Sequence, residues 1–150
     1  MKRYVIGFWG AYLLSAAVSV GMFFLAIANW LFSDSPPWFD MLFVIAILLP
    51  FPAMGDFLAH KVKSDSGKVF GKTIIIQIAI QIMLAILGSF LLGEHLLQVI
   101  VWPGTLPGSV LREALDLNHH WDDLFPVIGH ILLPVLYHLG WLMGKPSEKE

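Results

Sequence analysis

Cysteine is absent from all 150 residues. That excludes disulfides, thiolate catalysis, cysteine-type zinc sites, iron–sulfur clusters and thiol oxidoreduction, which needs cysteine pairs. Charge is scarce too, at 13% of residues where soluble domains carry about 25%. Neither a basic patch nor a nucleic-acid motif is present, so nucleic acid is not an expected partner. One connection, residues 33–40, lacks Lys and Arg altogether.

What fills the chain instead is hydrophobic, at 57%. Three stretches carry no formal charge over a membrane's thickness or more: Tyr4 to Phe32, Thr73 to Gly93 and Leu124 to Gly144. A shorter fourth, Met41 to Gly55, is closed by Asp56. In lipid every backbone polar group must be satisfied within its own segment, so such stretches are expected to be helices. The expectation is an all-α integral membrane four-helix bundle in a single domain, 1–150, with spans at about 4–32, 38–59, 72–93 and 124–144. The first apolar run far exceeds the roughly 7–15 residues of a signal peptide's core, so it reads as a span that stays with the protein.

The basic residues set an orientation. Lys2, Arg3, Lys61, Lys63, Lys68, Lys72, Lys145 and Lys149 fall on one side, and Arg112 alone on the other. Basic residues are retained in the cytoplasm, so both termini and the 60–72 connection are expected to face inward. Indole rings prefer the headgroup level. Trp9 and Trp141 then mark the inner interface, Trp30, Trp38 and Trp121 the outer one, and Trp102 a segment lying on the outer surface.

Polar residues inside the spans are the next signal. Gly7, Ala11, Ser15 and Ser19 recur every four residues in the first span, a spacing that lets two helix backbones approach closely. Thr73, Gln77, Gln81, Ala85, Ser89 and Gly93 recur likewise in the third. Helix packing, with each Gln bonding across an interface, is the favoured reading there, ahead of a polar path for a substrate. In the second span Pro50 and Pro52 are expected to kink or break the helix, and Asp56 follows one turn later with His60 beyond it. An ionisable group at membrane depth is a functional candidate. At so shallow a position, Asp56 pairing with His60 or a nearby Lys is the simpler reading. The lysines of the second connection face anionic lipid.

The fourth span holds His130, Pro134 and His138 at four-residue steps. Pro134 cannot donate to the carbonyl of His130, which is left free for another partner. Structural hydrogen bonding of the two imidazoles is preferred over a proton relay with Asp56. Haem ligation ranks last, because the two imidazoles lie about 12 Å apart along the helix.

The third connection runs from Glu94 to Asp123. Its two Pro–Gly neighbourhoods, at Pro103-Gly104 and Pro107-Gly108, argue against a continuous helix. The expected course runs along or into the outer leaflet, followed by a short amphipathic helix from Val110 to about Leu117, capped by Ser109. Then come Asp116, His119, His120, Asp122 and Asp123, the densest chemical cluster in the chain. Imidazole and carboxylate suit a divalent metal such as zinc, with His130 able to approach from the fourth span. No metalloprotease signature is present, and an acidic, water-facing loop end is the plainer account.

The expectation for function is a small multi-pass protein of a bacterial plasma membrane. It would be a non-enzymatic accessory, regulatory or binding subunit acting through helix packing and its outer loop. The expected partners are the lipid bilayer and a membrane protein or a second copy of the chain. A membrane enzyme or metal-handling protein using the outer His/Asp cluster is the alternative, and a small oligomeric transporter the third reading.

Overall fold

Charge-free runs in this chain become helices because no other local structure satisfies the backbone without water. The computed structural model describes residues 2–32, 38–61, 67–90, 100–115 and 124–144. They form α1 (Lys2–Phe32), α2 (Trp38–Leu48), α3 (Pro50–Lys61), α4 (Gly67–Phe90), α5 (Trp102–Ala114) and α6 (Leu124–Met143). Among the described residues there is no strand. Four windows are long and apolar enough to cross a membrane: Lys2–Leu25, Met41–His60, Gly71–Gly88 and Leu124–Met143.

The second span is interrupted at Leu49, between α2 and α3. Pro50 opens α3, where its fixed φ suits a first helical position. Pro50 and Pro52 lack amide hydrogens, which releases the carbonyls of Ala46 and Leu48 from helical bonding. The chain stays nearly helical through the break, because the Leu49 amide still donates to Ile45 at 2.8 Å and the Ala53 amide to Leu49 at 3.3 Å.

Helix α6 is the hub, packed against α3, α4 and α5. Helix α1 closes the opposite side against α2, α3 and α5. The core is aromatic. Tyr4, Phe8, Tyr12, Phe51, Tyr137 and Trp141 are all buried, with Tyr4 edge-on to Tyr137 at 4.9 Å and to Trp141 at 5.0 Å between ring centroids. Edge-to-face geometry sets a positive ring edge against a negative face. Trp141 is thus a core residue, 1% exposed, at the level of Tyr4 near the start of α1.

Helices α3 and α6 meet backbone to backbone. A methyl on Gly55 would strike the Tyr137 carbonyl and the Trp141 amide, and one on Gly140 would strike the backbone of Pro52. Glycine is required at both positions by that closeness.

The third connection departs from expectation. The short helix is present, but it begins at Trp102, eight residues before Val110, and runs through both Pro–Gly neighbourhoods. Pro103 lies in its first turn, where no intrahelical bond is lost. Pro107 does forgo one bond, and the side chains of Thr105 and Ser109 bond the carbonyls one turn back at 3.0 Å each. The glycines serve contact. A methyl on Gly104 would strike the His130 ring, and one on Gly108 the Phe125 carbonyl. Helix α5 therefore runs antiparallel to α6, with its start beside His130 and its later turns nearer Leu124. The Tyr12 hydroxyl donates to the Ile100 carbonyl at 2.7 Å. Tyr12 lies about 15 Å along α1 from Lys2, so α5 starts deep in the bundle. Trp102 is half-buried, its ring 5.1 Å from that of Phe23, which corrects its placement on an open surface.

Candidate functional site

Helix α4 touches the rest of the bundle chiefly through α6. Its buried stripe is Thr73, Gln77, Gln81 and Ala85, one residue per turn. Isoleucines at 75 and 76 and Met83 lie exposed on its other faces. Two glutamines are thereby sealed inside an otherwise apolar contact.

Gln81 meets His130. The imidazole is fully buried, with Nδ1 2.8 Å from Gln81 Oε1 and Nε2 3.4 Å from Thr105 Oγ1. A carbonyl oxygen only accepts, so Nδ1 carries the hydrogen in this arrangement and Nε2 of the neutral ring is the acceptor. The Thr105 hydroxyl has a single hydrogen to share between Nε2 and the Val101 carbonyl, 3.0 Å away. One histidine thus ties α4, α5 and α6 together. By contrast, both amide atoms of Gln77 and the Nε2 of Gln81 are buried without a hydrogen-bond partner among the described residues.

His138 has a different setting. Its Nδ1 lies 3.2 Å from the Tyr4 hydroxyl, and the neighbouring Tyr137 hydroxyl donates to the Tyr4 carbonyl at 2.9 Å. These bonds clamp the start of α1 onto α6. Asp56 stands on an exposed face of α3, where His60 Nδ1 is 3.6 Å from the Asp56 carboxylate and 3.0 Å from the Asp56 carbonyl oxygen. The side chains are 62% exposed for His60 and 52% for Asp56, so the pair is wet and contributes little to stability.

On α1, Gly7, Ala11, Ser15 and Ser19 are all buried. Ser15 donates to the Ile47 carbonyl at 2.7 Å, just before the α2–α3 break, and Ser19 donates to Ser15 at 2.8 Å. A methyl on Gly7 would meet Leu58 and the Tyr137 hydroxyl.

The metal candidates Asp116, His119, His120, Asp122 and Asp123 lie outside the described residues. His130 is described, and its ring nitrogens face Gln81 and Thr105. Among the described residues, no group of three His, Asp or Glu side chains could hold a metal ion.

Sequence reading passed over Thr105, Tyr4, Tyr12 and Tyr137, which complete these contacts. It read Gly104 and Gly108 only as opposing a helix, and passed over Gly140 with Gly144. Both pairs carry the same four-residue spacing that was read in α1, and that spacing was the available signal. Comparison with known protein families, curated proteins and solved structures finds no match for this chain.

Proposed function

We propose that this chain is a small, non-enzymatic multi-pass subunit of a bacterial plasma membrane. Both termini and the 60–72 connection face the cytoplasm, on the eight-to-one division of basic residues. It works by packing against a membrane partner and presenting its outer loop. One observation carries the reading: several buried polar side chains bridge helices. His130 bonds α6 to α4 and α5, His138 and Tyr137 bond α6 to α1, Tyr12 joins α1 to the start of α5, and Ser15 joins α1 to α2. Groups so engaged hold an architecture together, whereas a catalytic site needs a base, a nucleophile or an acid turned toward a substrate.

The test is gentle solubilisation of native membranes with a tagged chain, followed by affinity purification and native gel electrophoresis. A stoichiometric membrane partner or a defined oligomer is expected. A lone monomer under every mild detergent tried would defeat the proposal.

A further inference from the structure

Four of the buried polar side chains, Thr73, Gln77, Gln81 and His130, fall on one line, apart from Ser15 and Ser19 on α1. Thr73, Gln77 and Gln81 follow at one-turn intervals on the buried face of α4, each at most 4% exposed. Gln81 meets His130, His130 meets Thr105, and Ser109 stands one turn further along α5. The line begins beside Lys72, which is exposed, and ends at the half-buried Ser109.

From Gln81 outward the line is closed by hydrogen bonds. From Thr73 to Gln81 it has two steps between side chains spaced about 6 Å apart, the ordinary separation across one helical turn. Three buried atoms of these two glutamines have no hydrogen-bond partner among the described residues: Gln77 Oε1, Gln77 Nε2 and Gln81 Nε2. A buried amide without a protein partner is the kind of group that a bridging water molecule satisfies. A fourth polar atom lies on α6, the helix against which α4 packs. Pro134 lacks an amide hydrogen, so the His130 carbonyl is released toward that level of α6.

The chemistry of these atoms selects the ligand. Gln77 offers a donor and an acceptor, Gln81 a donor, and the His130 carbonyl an acceptor. An occupant must therefore both donate and accept over a short reach. Water does so. An ion would surrender its hydration to neutral groups alone, since Thr73, Gln77, Gln81, His130, Thr105 and Ser109 include no Asp, Glu, Lys or Arg. An apolar occupant would leave buried amides unsatisfied, which is costly where lipid surrounds the bundle.

We propose that Gln77 and Gln81, with the His130 carbonyl, form a water-binding site between α4 and α6. Its waters accept from the amide N–H groups, donate to Gln77 Oε1 and to the His130 carbonyl, and make the polar line from Thr73 to Ser109 continuous. The interface between α4 and α6 is then wet at its centre, while the contact between α3 and α6 is a dry one of glycine against backbone.

The experiment is NMR of the full chain in nanodiscs, with side-chain amides labelled. Magnetisation transfer from water to the Gln77 and Gln81 NH₂ groups is expected. A Gln77→Met variant should fold, lose transfer at Gln81 by at least about half, and melt below the wild type, because bridged water would be left with an apolar neighbour. Absence of water transfer at both amides in the wild type would overturn the proposal. So would a Gln77→Met variant that melts higher than the wild type, the behaviour of a dry amide replaced by a side chain of similar shape.

Discussion

His130 shows how much one residue decides here. Its imidazole joins three helices, where the other polar contacts between helices join two. Removing its acceptor leaves a buried N–H without a partner. Gln81→Leu is therefore expected to destabilise the protein by about 1–3 kcal/mol. His130→Leu should cost a similar amount, and the double variant clearly less than the two together, because both remove one interaction. Thermal melting of all four proteins in one detergent closes that cycle. Additive losses would show that the bond between Gln81 and His130 contributes nothing.

Among the elements, α1 and α5 both use small residues for close contact with a neighbouring helix. Ala11 and Ser15 are both fully buried on α1, so Ala11→Leu or Ser15→Leu should lower the melting temperature, by overpacking worth about 1–3 kcal/mol. Leu14 is 50% exposed, and Leu14→Ile should be nearly silent. Unchanged melting for Ala11→Leu and Ser15→Leu would mean that this face looks at lipid. Helix α5 gives a sharper contrast. A helix resting on the membrane surface would accept Gly108→Val without effect. A helix pressed on the Phe125 carbonyl cannot, so Gly108→Val is expected to destabilise strongly while Leu111→Ala, at an exposed position, does little. Equal effects would return α5 to the surface.

For the molecule as a whole, the basic residues and the packing address different questions. Eight Lys and Arg on one side against one on the other orient the chain in the proposed reading. The absence of native cysteine makes that orientation easy to test, since any introduced thiol is the sole one present. Ser35→Cys is expected to react with an impermeant thiol reagent on intact cells, and Ser66→Cys only after the membrane is opened. The reverse pattern would invert the topology and put the acidic 94–123 connection on the cytoplasmic side.

The sequence by itself determined the helices that are long and apolar enough to cross a membrane. An uncharged run long enough to span lipid has one local solution, so α1, α4 and α6 were legible from composition, and the α2–α3 break from Pro50 and Pro52. The tertiary structure alone decided which polar residues meet. Gln81, Thr105 and His130 are separated by 24 residues or more, and only the antiparallel docking of α5 on α6, with α4 alongside, brings them together. The same docking explains the one element read too short. Gly104 and Gly108 oppose a helix in water, where they only add chain entropy. Against the backbone of α6 they are the residues that allow the contact, and that neighbour is invisible in a local reading. Trp141 follows the same logic, since its place among Tyr4 and Tyr137 depends on the crossing of α1 and α6 and on nothing adjacent in the chain.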